Sequence, residues 1–210
     1  MASSKTEICN MALVHLGQTK FIDSFDDDRG KAAECFRLFY EDALKATFRS
    51  FTWPFATKIR ALEQLTEYEV DADHPSEKWQ YSYRMPADAL MLQKIESDER
   101  NDNRQSREPY EIIEDDDGSS RILTDREDAI AHFTIYREDV ERYPSDFVLA
   151  FSRRLAALVA PGLTAGDPFK LQRENMSLFL MELQAAQGSA ANEEQPEEMP
   201  DAEHLRARIS

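Results

Sequence analysis

Glycine is scarce in this chain: six residues in 210. Gly30, Gly118 and Gly162 stand alone, so the glycine-rich turn that cradles phosphates is excluded. There are two cysteines, Cys9 and Cys35. No CxxC or Cys/His spacing surrounds them, which argues against a zinc site. Each lies inside a helical pattern, which predicts two buried, reduced thiols. No apolar run is long enough to cross a bilayer. Cations are few: Lys plus Arg number 25 against 41 Asp plus Glu, a formal net charge of −16. A field of that sign repels duplex nucleic acid and anionic lipid, so specific DNA binding and membrane association are not expected. GxSxG, HExxH and Ser/His/Asp groupings are absent. Carboxylates, by contrast, are so abundant that some pair reaches glycosidase separation by chance, which leaves an acid-pair hydrolase open on the residues alone. No cofactor and no metal ligand set is expected. The opening MASSKTE lacks the basic and apolar regions of a signal peptide, which predicts a protein made and kept in a cytoplasm, or in something assembled there.

What the chain does have is an aromatic helix. In AAECFRLFYEDALKATFRSFTWPFA, from Ala32 to Ala56, the residues Phe36, Phe39, Tyr40, Ala43, Leu44, Thr47, Phe48 and Phe51 recur at steps of three and four, one broad stripe of a helix. So much aromatic surface must be buried. Pro54 cannot continue the helix and pushes Trp53 towards extended geometry, so the helix is expected to stop near Phe51 in an aromatic corner of Phe51, Trp53 and Phe55. Phe36, Phe39, Phe48, Phe51 and Trp53 are the predicted core.

Upstream, Ser4 and Glu7 form a capping box. Ile8, Met11, Ala12, His15 and Leu16 make the stripe of a first helix that Gly17 ends. His15 reads as a packed or edge histidine rather than a ligand. Asp26, Asp27 and Asp28 lack EF-hand spacing and are explained as acids favourable at a helix N-terminus. Downstream, Phe55–Leu65 reads as a strand or a short helix, with strand preferred. Thr66–Lys78 is a loop. Trp79, Tyr81 and Tyr83 alternate with polar residues, as in a strand. Ala87–Leu90 can form one helical turn and Met91–Ile95 a strand. Ser97–Arg107 contains no apolar residue and reads as a solvated loop. Asp117-Gly118, between two short apolar runs, signals a hairpin; Asp115, Asp116 and Asp117 read as a charged turn in preference to a metal loop. His132–Tyr136 is a further strand. Ser145 is expected to cap a third helix with Val148, Phe151, Leu155, Leu158 and Val159 on its stripe, broken at Pro161-Gly162. Asp167 and Pro168 open a fourth helix, with Leu171, Leu178, Met181, Leu183 and Ala185 on its stripe, that Gly188 should stop. Ser189–Ser210 reads as a tail in which Leu205 and Ile209 share a helical face beside Arg206 and Arg208, the layout of a segment that docks on a partner, against a plain disordered tail as the alternative.

The order of elements predicts an α+β protein: a four-helix bundle (residues 1–55 and 144–188) with a β-rich insertion (56–143) between helices 2 and 3, and an extended tail (189–210). The aromatic corner and the Tyr143-Pro144 junction should meet, as the two ends of the insertion.

Several stretches resemble one family. CNMALVHLG (Cys9–Gly17), the Ala32–Phe55 helix with its Trp-Pro-Phe corner, WQYSYRMPADAL (Trp79–Leu90), ILTD (Ile122–Asp125) and YPSDFVLAFSRRLAALVA (Tyr143–Ala160) are similar, in order and spacing, to the tail tubular protein A group, the head-to-tail connector adaptors of short-tailed bacteriophages. The resemblance implies a structural virion protein without catalysis. Subunits of that family form a ring, usually twelve-fold, beneath the portal protein at the capsid vertex; the tail nozzle protein attaches below and genomic DNA passes through the lumen. An acidic lumen suits DNA that must slide without sticking. Copies around an axis contact head to tail through two different surfaces. Arg37, Arg49, Arg153 and Arg154, on outer helical faces, are the candidates to meet a neighbour's carboxylates. Leu205, Arg206, Arg208 and Ile209 are the candidates to dock on the portal. The competing reading is a carboxylate-based hydrolase of surface polysaccharide.

Overall fold

The computed structural model describes residues 4–65, 79–97, 108–115 and 118–193. Two helices come first, α1 (Lys5–His15) and α2 (Lys31–Phe48). Ser4 caps α1 through the reciprocal box with Glu7, which satisfies two of the donors every helix start leaves open. The aromatic stripe of α2 faces inward: Phe36, Tyr40, Leu44 and Phe48 are buried. Pro54 does not simply end that helix. It sits in a short 3₁₀ turn, Pro54–Ala56, that turns the chain into the sheets.

Six strands follow: β1 (Thr57–Ala61), β2 (Tyr81–Arg84), β3 (Ala89–Ile95), β4 (Tyr110–Glu114), β5 (Ser120–Thr124) and β6 (Ile130–Ile135). They form two three-stranded antiparallel sheets, ordered β1-β6-β3 and β2-β5-β4. The hairpin signalled by Asp117-Gly118 is the β4–β5 connection, with Glu114 opposite Ser120 and Gly118 at φ +78°, a backbone region glycine enters without penalty. The helical turn expected at Ala87–Leu90 is not formed; Ala87 and Asp88 make a turn and β3 starts at Ala89. Tyr83 and Ile122 from one sheet pack against Leu92, Phe133 and Ile135 from the other, a second small core. The buried Tyr83 hydroxyl donates to the Arg126 carbonyl at 2.7 Å.

Helices α3 (Ser145–Leu163) and α4 (Pro168–Glu193) complete the chain. The strands thus lie between helices 2 and 3, but the four helices do not form the four-helix bundle expected from the sequence. α1, α2 and α4 each pack principally on α3. The reason is the composition of α3. Alongside Phe147, Phe151 and Leu155 it carries Ala150, Ser152, Ala156, Ala157 and Ala160, all buried. Small residues on several faces let neighbours approach from several sides, so α3 is a central axle rather than one of four equivalent staves with a single apolar stripe. Other boundaries moved as well. Pro144, not Ser145, is the N-cap of α3. Pro161-Gly162 lies inside the last turn of α3, so the helix runs past the proline and forgoes the one hydrogen bond its nitrogen cannot donate. α4 runs through Gly188 to Glu193; glycine in a helix costs only about 1 kcal/mol against alanine, and buried Leu183, Ala186 and Ala190 hold that stretch against the core.

The helices and sheets meet at an aromatic junction. Phe147 is fully buried and its ring lies 5.3 Å from Phe48, 5.0 Å from Trp53, 5.1 Å from Phe55 and 5.2 Å from Tyr143, centroid to centroid. Phe55 and Tyr143 are 5.9 Å apart, so the two ends of the strand segment do come together. Phe36, Phe48 and Trp53 are buried here, while Phe39 and Phe51 are partly buried against the same cluster.

Candidate interaction surfaces

Polar groups within the helical part serve chiefly to join its helices. His15 Nε2 lies 3.0 Å from Ser152 Oγ, and Ser152 Oγ donates its only proton to the Leu149 carbonyl at 2.7 Å. The hydroxyl therefore accepts from His15, so Nε2 carries the hydrogen. That is the reverse of a nucleophile activated by a base, and Ser152 is wholly buried. Burial, and secondarily the positive charge of Arg153, lowers the His15 pKa to about 4. His15 is a packed histidine.

Of the four arginines proposed for contacts between subunits, three are engaged within the chain. Arg37 donates to the carbonyls of Phe25 (2.6 Å) and Asp28 (2.9 Å) and ties down the turn before α2. Arg153 Nε reaches Glu182 Oε1 at 3.2 Å and its Nη1 reaches Asn175 Oδ1 at 3.3 Å, bridging α3 to α4. Arg154 lies over the Phe179 ring, 5.2 Å from its centroid; burial lowers its pKa. Arg49 is exposed at the end of α2. Leu205, Arg206, Arg208 and Ile209 lie outside the described residues, as do Asp116 and Asp117.

The aspartates before α2 organise their own loop. Ser24 Oγ donates to Asp27 Oδ2 and accepts from the Asp27 amide, each at 3.1 Å. Asp28 accepts from the Gly30 and Asp23 amides, and these bonds hold its carboxyl below the usual range. Among the described residues no group of three His, Cys, Asp or Glu is placed to hold a metal ion. Asp88 is also held low, by a two-pronged pair with Arg60 at 2.7 Å on each prong. A glycosidase acid needs the opposite displacement, a raised pKa.

The sequence pattern placed Leu178 and Met181 on the stripe of the fourth helix, yet both are exposed, and it did not flag the other exposed apolar residues. Val14 on α1 is 56% exposed and Phe21 50%. With Glu7, Asn10 and Met11 they line a shallow groove of ≈ 390 Å³. On α4, Phe169 is 62% exposed, Met181 66% and Leu180 51%. The two patches belong to helices that pack separately on α3. The signal was present in the sequence: α4 carries apolar residues at Phe169, Leu178, Leu180 and Met181 as well as at its buried positions, more than one stripe can bury.

No family model matches this chain, and no curated protein matches it at a significant level.

Proposed function

We propose that this protein is a structural subunit of a short-tailed phage virion: an adaptor that assembles as a ring, twelve-fold like the family it resembles, between the portal protein at the capsid vertex and the tail nozzle, with genomic DNA passing through the lumen. In this reading it is not an enzyme and takes no cofactor; it is made in the host cytoplasm and resides in the virion tail. The observation that carries the proposal is the pair of dissimilar apolar patches, the groove beside α1 and the outer flank of α4. A ring of identical copies needs two different surfaces that meet head to tail. Large exposed apolar side chains grouped on a helix are the usual mark of an interaction surface. The negative charge supports the same reading, since an acidic lumen does not retain a polyanion.

Electron microscopy of the purified protein, alone and with a portal, tests this. Collars on the portal are the expected result. A protein that ignores the portal and degrades surface polysaccharide would overturn the adaptor reading in favour of the hydrolase.

A further inference from the structure

The face of the β2-β5-β4 sheet opposite to Tyr83 and Ile122 holds two arginines side by side. Arg84 on β2 and Arg121 on β5 are directly opposite in register, so their side chains leave the same face. Like charges in that position repel. The β-sheet gains nothing from the pairing, and neither side chain reaches a core: Arg84 is exposed and Arg121 is half-buried. Both line a cavity of ≈ 610 Å³, with Met85, Pro86, Asp115 and Ser120 also on its wall. Asp115 takes one of the two charges: its Oδ2 accepts from Arg121 Nε and from Ser119 Oγ at 3.2 Å. That leaves the terminal nitrogens of Arg121 without a partner among the described residues. Arg84 has no ion pair there either, in a chain with a large surplus of carboxylates.

We propose that this cavity is a binding site for a single carboxylate side chain presented on a peptide segment of a protein partner. The charges decide the class. Among the described residues that line the cavity, Arg84, Arg121 and Asp115 sum to one positive charge, which a single carboxylate neutralises. A phosphate dianion would leave an excess negative charge beside Asp115. Duplex DNA requires a broad basic footprint, which one arginine pair does not supply. The paired guanidiniums present several donors for a planar, two-oxygen acceptor. Met85 and Pro86 give the rest of the wall an apolar character suited to the flanking side chains of a peptide, and the volume falls in the range of sites that hold more than one small group. Such a site serves a subunit of any protein assembly, so it does not rest on the adaptor reading.

The test is a titration of the isotope-labelled full chain, followed by amide chemical shifts, with three probes: an acetylated and amidated Gly-Leu-Glu-Leu-Gly peptide, its glutamine counterpart and inorganic phosphate. The acidic peptide should shift Met85, Gly118 and Ser120, and neither other probe should match its affinity. Arg84→Gln should fold as the parent does, since Arg84 is exposed, and weaken the acidic peptide by about tenfold or more, the usual value of a lost charge-assisted contact. Arg49→Gln, which removes an exposed arginine elsewhere, should leave the affinity unchanged. Equal affinity in Arg84→Gln, tighter binding of phosphate than of the peptide, or no shifts at these amides would each overturn the proposal.

Discussion

Replacing Phe147 by alanine removes the ring on which both ends of the strand segment close. Phe147 is fully buried, and the site is crowded by Phe48, Trp53, Phe55 and Tyr143, all with centroids between 5.0 and 5.3 Å. Truncating a buried phenylalanine costs about 3–5 kcal/mol in transfer and cavity terms. Aromatic pairs contribute about 0.5–1.5 kcal/mol each beyond buried area, without adding fully because they share one ring. Its neighbours are bulky and held by two separate chain connections, so they cannot collapse into the space, and the top of the range applies: about 5 kcal/mol. For a chain of this size that corresponds to a fall in melting temperature of roughly 10–20 °C. Trp53 lies against Phe147, so tryptophan fluorescence reports the change directly, with helix content by circular dichroism as the second probe. Phe169→Ala is the control: its ring is 62% exposed and its loss should move stability by no more than about 0.5 kcal/mol. A loss below about 2 kcal/mol for Phe147→Ala, or an equal effect of the control, would refute the junction as the centre of stability.

Two further outcomes follow from the geometry. His15 has its pKa lowered from 6.5 to about 4, so between those values the unfolded chain takes up a proton that the native chain refuses; stability is complete above pH 6.5 and falls as the pH drops towards 4. Because His15 is only half-buried, the loss is discounted to about 1–2 kcal/mol, and denaturant titrations of wild type and His15→Gln at pH 7 and pH 4.5 should differ in slope with pH; parallel curves would contradict the assignment. Met181→Glu places a charge at a site 66% exposed: the monomer should melt within about 0.5 kcal/mol of wild type, while collars on the portal disappear from micrographs, and intact collars would remove α4 from the ring interface.

The helices were the most legible part of the chain, because their signals are local. The Ser4–Glu7 box, the stripe from Phe36 to Phe48 and the break at Pro54 each act within a few residues. The β4–β5 hairpin was legible for the same reason. Helix packing was not. The stripe read for α3 named Val148, Phe151, Leu155, Leu158 and Val159 and passed over Phe147, the most connected ring of the junction, and over the alanines that make α3 central. Alanine carries too little hydrophobic weight to mark a face, although its small size is what lets three helices approach α3. Chain stops were overestimated: α4 runs through Gly188 and α3 through Pro161-Gly162, because tertiary context overrides local propensity. The candidate sites were less legible still. Arg37, Arg153 and Arg154 look like surface charges in one dimension, yet their partners, Phe25, Glu182 and Phe179, are brought near by turns and by the α3–α4 packing.

The path by which the sheets are attached bears on what the subunit does under load. The chain enters the strand segment past Trp53 and Phe55 and leaves it past Tyr136 and Tyr143, and Phe48 is in ring contact with Phe55, Tyr136 and Tyr143. Both connections therefore close on α2 and on Phe147 at the start of α3. A force applied to the sheets reaches the helices through this cluster, and α3 passes it on to α4, its most extensive neighbour. Close-packed aromatic rings resist deformation because each small displacement forfeits many contacts at once. Coupling at a single junction keeps the two sheets in a fixed relation to the helical surfaces without an extensive interface between them. Under the proposed adaptor role, losing one ring, Phe147, should cost stability and assembly together, whereas losing an outward residue such as Met181 should cost assembly alone.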